Sequence, residues 1–218
     1  MLVKELGAID KILLPPEFAP ATKEYGGRGD NWLVQFSTQS AVGTEKPEEE
    51  VQICFFYRGR ASDRSDTETL RRLTARSAHS PGNQNLLKAD LEEPAAEDLE
   101  LLFALFDVMG NVGDNQYTRN FTDRATGLSG AGFHLQSLEL LTVSTRTMLA
   151  ARGHYHDFQG QPNNYYKGVF FDAAAAEPLA RIEEIYFQSK NAEIFEKYLP
   201  AFDRCLATIQ WLSVLEVK

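Results

Sequence analysis

The 218-residue chain has few of the residues from which disulfide frameworks, metal clusters and basic nucleic-acid surfaces are built. It contains two cysteines and four histidines, and its 22 basic residues are outnumbered by 31 acidic ones. Two distant cysteines exclude a disulfide scaffold. Cys54 and Cys205 each have apolar neighbours, which predicts two buried free thiols. The formal net charge of −9 argues against a surface for duplex nucleic acid, because such a surface must contact many phosphates.

Long apolar runs are also missing from the sequence. No window approaches the roughly 18 apolar residues that a membrane-spanning helix needs. Residues 1–10 lack the basic start, the continuous apolar run and the small-residue cleavage site of a secretory signal, because Glu5 and Asp10 interrupt them. We therefore expect a cytoplasmic protein without a membrane span.

The common catalytic and nucleotide-binding motifs are missing as well. Ser129, in the sequence Gly127-Leu128-Ser129-Gly130, lacks the second spacing of a nucleophile elbow. No HExxH, CxxC, GxGxxG or P-loop pattern occurs. The sequence therefore predicts no cofactor, and it favours a non-enzymatic protein over an enzyme.

What the chain does contain is a globular composition and one well-specified unit, a strand followed by a helix. With 43% hydrophobic and 24% charged residues, the chain is long enough to bury a core in one domain. Residues 181–188 are strand-like, and a helix is predicted from Asn191, with a break or restart near Pro200. The apolar residues of this helix recur every three or four positions and form one stripe that suits packing on a sheet: Phe195, Tyr198, Leu199, Phe202, Cys205, Leu206 and Ile209.

Aromatic and β-branched segments predict further strands along the chain. Residues 31–38 and 51–58 are expected to form a hairpin, and a helix is predicted over residues 66–77. A meander is predicted because four later segments are joined by connections too short for parallel crossovers: residues 138–143, 147–157, 165–172 and 181–188.

The order of these elements predicts one α+β domain over residues 1–218. An antiparallel sheet is flanked by helices as an α/β/α sandwich, and the amphipathic C-terminal helix packs on the sheet. Residues 94–132 are predicted to form an insertion, which consists of a helix and an irregular surface loop from Asn111 to Gly132.

Three packing motifs in the C-terminal two-fifths of the chain carry a family resemblance: Tyr165-Tyr166-Lys167-Gly168-Val169-Phe170-Phe171, Glu184-Ile185-Tyr186-Phe187-Gln188, and the helical stretch Phe195 to Phe202. Their order resembles the Mog1/PsbP-like family, a sheet flanked by helices. The resemblance implies an accessory or adaptor role, because members include a Ran-binding nuclear factor, extrinsic photosystem proteins and bacterial chaperones of secreted effectors.

The sharpest polar cluster lies between Arg152 and Asp157. Alternate residues of a strand face one side, so Arg152, His154 and His156 are expected to project together from the polar, solvent-facing side of a strand. A metal site formed by His154, His156 and Asp157 is the alternative, because two imidazoles at this spacing can share one ion. His134 or Asp172 would then be the source of a further ligand.

Aromatic residues surround the turn at Pro162, and they form either an exposed recognition rim or part of the core: Tyr155, Phe158, Tyr165 and Tyr166. We take Arg152, His154, His156 and Tyr165 as the candidate binding residues. The predicted function is a non-catalytic, chaperone-like adaptor that binds another protein or peptide. The alternative is a metal-dependent or small-ligand enzyme that uses the strand with His154 and His156, and the sequence leaves a homo-oligomer open.

Overall fold

The computed structural model describes residues 1–20, 25–26, 32–38, 49–61, 64–75, 86–90, 121–122, 129–130, 133–144, 146–156, 161–173 and 181–212. Two helices lie in this part of the chain, α1 (Arg64–Ala75) and α2 (Ala192–Leu206). The strands are β1 (Leu2–Leu6), β2 (Ile9–Leu13), β3 (Phe18–Pro20), β4 (Tyr25–Gly26), β5 (Trp32–Thr38), β6 (Val51–Ala61), β7 (Leu87–Asp90), β8 (Phe121–Thr122), β9 (Ser129–Gly130), β10 (Phe133–Val143), β11 (Arg146–His156), β12 (Pro162–Asp172), β13 (Arg181–Ser189) and β14 (Gln210–Trp211).

A nine-stranded antiparallel sheet forms the centre of the fold. Its strands follow the order β3-β5-β6-β13-β12-β11-β10-β7, and β4 also pairs with β5. The predicted hairpin of β5 and β6 and the predicted meander from β10 to β13 are both confirmed. The short connections within the meander explain its antiparallel pairing. The non-consecutive pairs β6–β13 and β7–β10 are antiparallel as well.

A second, three-stranded sheet joins residues from the two ends of the described chain. Strands β1 and β2 form a hairpin through a loop at Gly7 and Ala8, and β14 pairs with the other side of β2. Gly7 has a φ of 59°, which matches the need of short primed hairpin turns for positive φ. No strand was predicted before residue 31, so this hairpin was missed.

The two faces of the large sheet bury separate apolar cores, because successive residues of each strand point to opposite sides. One face, here called the α2 face, packs against α2 and the β1–β2 hairpin through residues such as Ile53, Val169, Ile185 and Phe187. The other, here called the α1 face, buries Cys54, Leu149, Phe170 and Tyr186 together with Leu70 and Leu73 of α1. The antiparallel, sheet-rich α+β fold is therefore confirmed, although helices are few.

Helix α2 follows its predicted pattern closely. The side chain of Asn191 accepts a hydrogen bond from Ile194 N at 3.1 Å and caps the first turn. The apolar stripe is buried as predicted, in Phe195, Leu199, Phe202, Cys205 and Leu206. The predicted break at Pro200 is wrong, because the helix continues through this exposed position. Its buried face offsets the loss of one backbone hydrogen bond.

Part of the predicted insertion lies outside the described residues, including the helix expected from Pro94 and most of the loop from Asn111 to Gly132. Within that loop, Phe121 and Thr122 pair with Gly130 and Ser129, so this stretch contains two short strands and is not wholly irregular. No helix in the described ranges is long and apolar enough to cross a membrane.

Candidate functional site

Three of the predicted binding residues meet where strands β11 and β12 support the first turns of α2. Arg152 forms an ion pair with Glu196 and lies over the ring of Phe195, with 5.7 Å from its guanidinium carbon to the ring centroid. The rings of His154 and Tyr165 are 5.9 Å apart. His154 is 8% exposed, so the prediction of a solvent-facing strand side is wrong at this residue. His154 lies on the α2 face. Arg152, through Glu196 and Phe195, and Tyr165, through Phe195, hold the helix on the sheet.

The metal alternative stays a prediction. His156 lies in β11 beyond an irregularity in its pairing with β12, and its side chain, like that of His134, lies outside the described set, as does all of Asp157. Among the side chains that the structure describes, no group of three or more His, Cys, Asp or Glu residues is arranged to hold a metal ion. The other proposed ligand, Asp172, instead accepts a hydrogen bond of 2.6 Å from Arg71 Nε.

A buried charge network fixes the second half of α2. Lys167 Nζ lies 2.8 Å from Asp203 Oδ1, and Lys88 Nζ lies 2.8 Å from Asp203 Oδ2. The side chain of Lys167 is 3% exposed, and its ammonium is 3.6 Å from Glu139 Oε2. Burial alone would raise the pKa of Asp203, but the charge of Lys167 and hydrogen bonds from both lysines outweigh burial and lower it. The network is structural because its charges satisfy one another.

One side of the β1–β2 hairpin is held on the α2 face, and its other side faces outwards. Glu183 Oε2 accepts a hydrogen bond from Ala8 N at 2.8 Å, and Thr208 Oγ1 accepts one from Leu13 N at 2.9 Å. Ile9 and Ile12 are buried beneath the hairpin. These contacts hold the hairpin rigidly on the α2 face.

The outward side of the hairpin carries two directly opposed pairs of like residues. Leu2 pairs with Leu13, and Lys4 pairs with Lys11. Residues directly opposite in an antiparallel pair project to the same side. Leu2 and Leu13 are 54% and 52% exposed, and the side chain of Lys11 is 38% exposed. We call the side formed by Leu2, Lys4, Lys11 and Leu13 the hairpin face.

A groove adjoins the hairpin face. Its cavity volume is about 230 Å³, and it lies between the segment Leu13 to Glu17 and the second half of α2, where it is lined by Ala201, Arg204, Cys205 and Thr208. Proline and aliphatic side chains make most of the lining apolar, and the exposed Glu17 and Arg204 add one charge of each sign.

The α1 face buries a second group of polar side chains, here called the tyrosine–glutamate cluster: Cys54, Tyr155, Tyr166, Glu184 and Tyr186. The hydroxyl of Tyr166 donates a hydrogen bond to Glu184 Oε1. The ring of Tyr166 stacks on Tyr186 at 5.6 Å and meets Tyr155 edge-on at 5.8 Å. A side-chain hydrogen bond also links Cys54 and Tyr186.

Gly168 makes the bond between Tyr166 and Glu184 possible. The phenol of Tyr166 lies over Gly168, so that a Cβ added there would stand 2.7 Å from Tyr166 Cε1. Glu184 lies opposite Phe170 on the neighbouring strand, and the space above Gly168 lets the phenol reach along β12 towards it. A side chain at this position would force the tyrosine away.

Burial controls the protonation of the cluster. It raises the pKa of Glu184 from 4.5 to about 8, against a smaller opposite effect of the bond from Tyr166. Burial likewise raises the pKa of Tyr166 and Tyr186 and brings that of Cys54 to about 12. Both predicted buried thiols are confirmed. Cys205 is also free and buried, and burial raises its pKa to about 12. The core interpretation holds for Tyr155 and Tyr166 among the aromatic residues near Pro162.

Sequence reasoning missed both the hairpin face and the tyrosine–glutamate cluster. Gly7 between two apolar segments was a usable hairpin signal. The cluster carried no local signal, because its members come from four strands, β6, β11, β12 and β13.

Comparison with protein-family models, curated proteins and solved structures finds no match to this chain. The Mog1/PsbP-like resemblance therefore stays a prediction.

Proposed function

We propose that the protein is a non-catalytic adaptor that binds an extended, acidic and apolar segment of another protein on its hairpin face. The observation that carries the proposal is the pairing of Leu2 with Leu13 and of Lys4 with Lys11 on one outward side. We further propose a cytoplasmic location. We also propose a three-layer α/β/α arrangement, in line with what the family resemblance implies.

The charges of the hairpin face support an acidic partner. Like charges directly opposite on neighbouring strands repel each other, so Lys4 and Lys11 favour carboxylates placed between them. The carboxylate of Asp10 neutralises part of this positive charge, because its Oδ2 lies 3.1 Å from Lys11 Nζ. The surrounding protein has a net charge of −9, and a local basic pair on an acidic molecule orients an acidic ligand towards itself.

The exposed leucines support a partner that is also apolar. Met1, Leu2 and Leu13 are the exposed large hydrophobic residues of the described part of the chain, and Leu13 also lines the groove. Burying one such side chain contributes about 1.5–3 kcal/mol. An apolar side chain of the partner that packs on the pair Leu2 and Leu13 therefore supplies affinity, while the lysines select the charge of the partner.

An extended conformation follows from the position of β1. Among the described strands, β1 pairs with β2 alone, so its outer edge offers backbone groups to one more strand. Alternate side chains of an added strand would lie beside Leu2 and Lys4. The partner pattern is therefore apolar and acidic at every second residue.

A set of designed peptides tests this function. Fluorescence anisotropy at low and physiological salt would compare a labelled leucine–glutamate alternating peptide with leucine–glutamine, leucine–lysine and serine–glutamate peptides of equal length. We expect the leucine–glutamate peptide to bind most tightly and Leu13→Asp to weaken it tenfold or more. The double variant Lys4→Glu/Lys11→Glu should bind the leucine–lysine peptide more tightly than the leucine–glutamate peptide. The control is Lys190→Glu, at an exposed position just before the first residue of α2, which should change binding little.

Several results would contradict the proposed function. Equal binding of all four peptides, or binding unaffected by Leu13→Asp, would exclude the hairpin face as the site. Equal binding of the serine–glutamate peptide or of an oligonucleotide would indicate a general polyanion site. Concentration-dependent dimers in light scattering that Leu13→Asp abolishes would identify a second copy as the occupant.

A further inference from the structure

The two helices that cover the faces of the large sheet differ in how many of their side chains are buried against it and in how well their ion pairs are shielded from solvent. Helix α2 buries five side chains and is tied to the sheet by Lys167 and Asp203. In the described part of α1, Thr67, Leu70 and Leu73 are buried. One of the ties from α1 to the sheet is the ion pair of Arg71 with Asp172, in which the Arg71 side chain is 52% exposed. Exposed ion pairs contribute little to stability. Among the described side chains, α1 therefore buries fewer against the sheet than α2 does, and we expect the α1 face to open at lower cost than the α2 face.

Glu184 lies on this more weakly covered face without a compensating cation among the described residues. The groups that face it are Tyr166 and Asp172 from β12, Tyr155 from β11, Tyr186 from its own strand and Cys54 from β6. Arg71 of α1 is engaged with Asp172. Among the described side chains, the other facing groups are neutral or acidic, so loss of a proton would leave the buried carboxylate without a partner charge among them.

From this arrangement we propose that Glu184 is a proton-dependent switch of the α1 face, which is closed while the carboxyl is protonated and opens to water when it is ionised. The opening is local, because α2 and the hairpin are held on the opposite face by separate contacts. Opening hydrates Glu184 and exposes Cys54, which is 1% exposed in the closed fold. This property goes beyond peptide binding, since the hairpin face lies on the other side of the sheet.

The direction of the pH effect follows from proton linkage. Glu184 titrates near its ordinary value of 4.5 when the face is open and at about 8 when the face is closed. Between these values the open form has lost the proton that the closed form retains, so rising pH favours opening. The opening equilibrium increases by up to tenfold per pH unit over this interval and becomes constant above about pH 8.

The two cysteines provide a built-in measurement, because Cys54 lies on the α1 face and Cys205 on the α2 face. The full-length protein would be alkylated with N-ethylmaleimide from pH 5 to 9.5, and mass spectrometry would give the rate at each cysteine. Dividing each rate by that of the urea-unfolded protein at the same pH removes the intrinsic titration of the thiol. We expect the protection of Cys54 to fall by at least 30-fold from pH 5 to 8 and then level off, while Cys205 stays protected.

Glu184→Gln should abolish the fall in Cys54 protection, and Glu193→Gln, at an exposed position of α2, should retain it. The proposal is overturned if the protection of Cys54 is independent of pH, if Cys205 loses protection in parallel, or if Glu184→Gln keeps the same slope. A readout that needs no substitution is carboxyl carbon NMR of the wild-type protein. It should show one glutamate with a midpoint near 8, and finding every glutamate ionised below pH 6 would equally overturn the proposal.

Discussion

At the scale of single residues, neighbours along β13 have opposite roles. Glu183 faces the α2 side and binds the hairpin loop through Ala8 N, whereas Glu184 faces the α1 side and binds Tyr166. Both are buried, at 4% and 6% exposure. Because successive side chains of a strand point to opposite faces, the two carboxyl groups lie in different sites. Glu183 positions the backbone of the hairpin loop, and Glu184 holds a proton.

Gly7 is the residue against which Glu183 fits. It has a φ of 59°, and a Cβ added there would stand 2.6 Å from the carboxyl carbon of Glu183. We expect Gly7→Ala to destabilise the protein by about 1–3 kcal/mol, through backbone strain and displacement of the carboxylate. Urea denaturation would measure this. Glu5, with a φ of 63° and an exposed side chain, is the matched control: Glu5→Gly should cause no loss, and equal losses at both positions would contradict this account.

At the scale of elements, α2 shows how much of the fold could be predicted. Its start near Asn191, its buried stripe and its packing on the sheet followed from local spacing, as did the meander from β10 to β13. The ion pairs of Asp203 with Lys88 and Lys167, and those of the same lysines with Glu139, did not. The two lysines and Glu139 lie on three strands whose register is set by tertiary packing. The predicted solvent exposure was wrong at His154 for the same reason. Arg152 and His154 lie on one face of the strand as expected, but nothing in the local sequence indicates that α2 covers that face.

The charge network at Asp203 should contribute measurably to the free energy of unfolding, because it holds α2 on the sheet. Asp203→Asn leaves the buried ammonium of Lys167 with Glu139 at 3.6 Å as its nearest carboxylate. We expect a loss of about 2–3 kcal/mol in the free energy of unfolding. Chemical denaturation would measure it beside Asp10→Asn, which alters an exposed ion pair and should cost less than about 1 kcal/mol.

A second substitution separates the charge effect from packing. Adding Lys167→Met to Asp203→Asn removes the buried charge that lost its main partner, so part of the stability should return. A further loss in the double variant would contradict the interpretation of the network as mutual charge compensation.

At the scale of the whole molecule, the two sheet faces respond to pH in opposite directions. Asp203 has a lowered pKa, so its contribution is present above its ordinary value of 3.8 and is lost as the pH falls below it. Glu184 has a raised pKa, so its contribution is complete below 4.5 and is lost as the pH rises to about 8. The net charge of −9 at pH 7 adds repulsion on the alkaline side.

We therefore expect the free energy of unfolding to be greatest near pH 5 and to decline towards pH 8. Glu184 accounts for up to about 1.4 kcal/mol per pH unit of this decline. Urea midpoints measured at intervals from pH 3 to 9 would trace the curve. Glu184→Gln should flatten the limb between pH 5 and 8 and Glu193→Gln should not, whereas stability that rises over this limb would contradict the assignment.

The small sheet has a consequence for the order of folding. The backbone amide of Leu13 is bonded to Thr208, across a separation of 195 residues, and β2 pairs with β14. Contacts between such distant segments form late, because a long loop must close before they can stabilise anything. During synthesis on the ribosome, the hairpin therefore waits for α2 and β14 to emerge before it is held in place. A partner that requires the rigid hairpin face would thus distinguish a molecule that has completed its fold from one that is still being made.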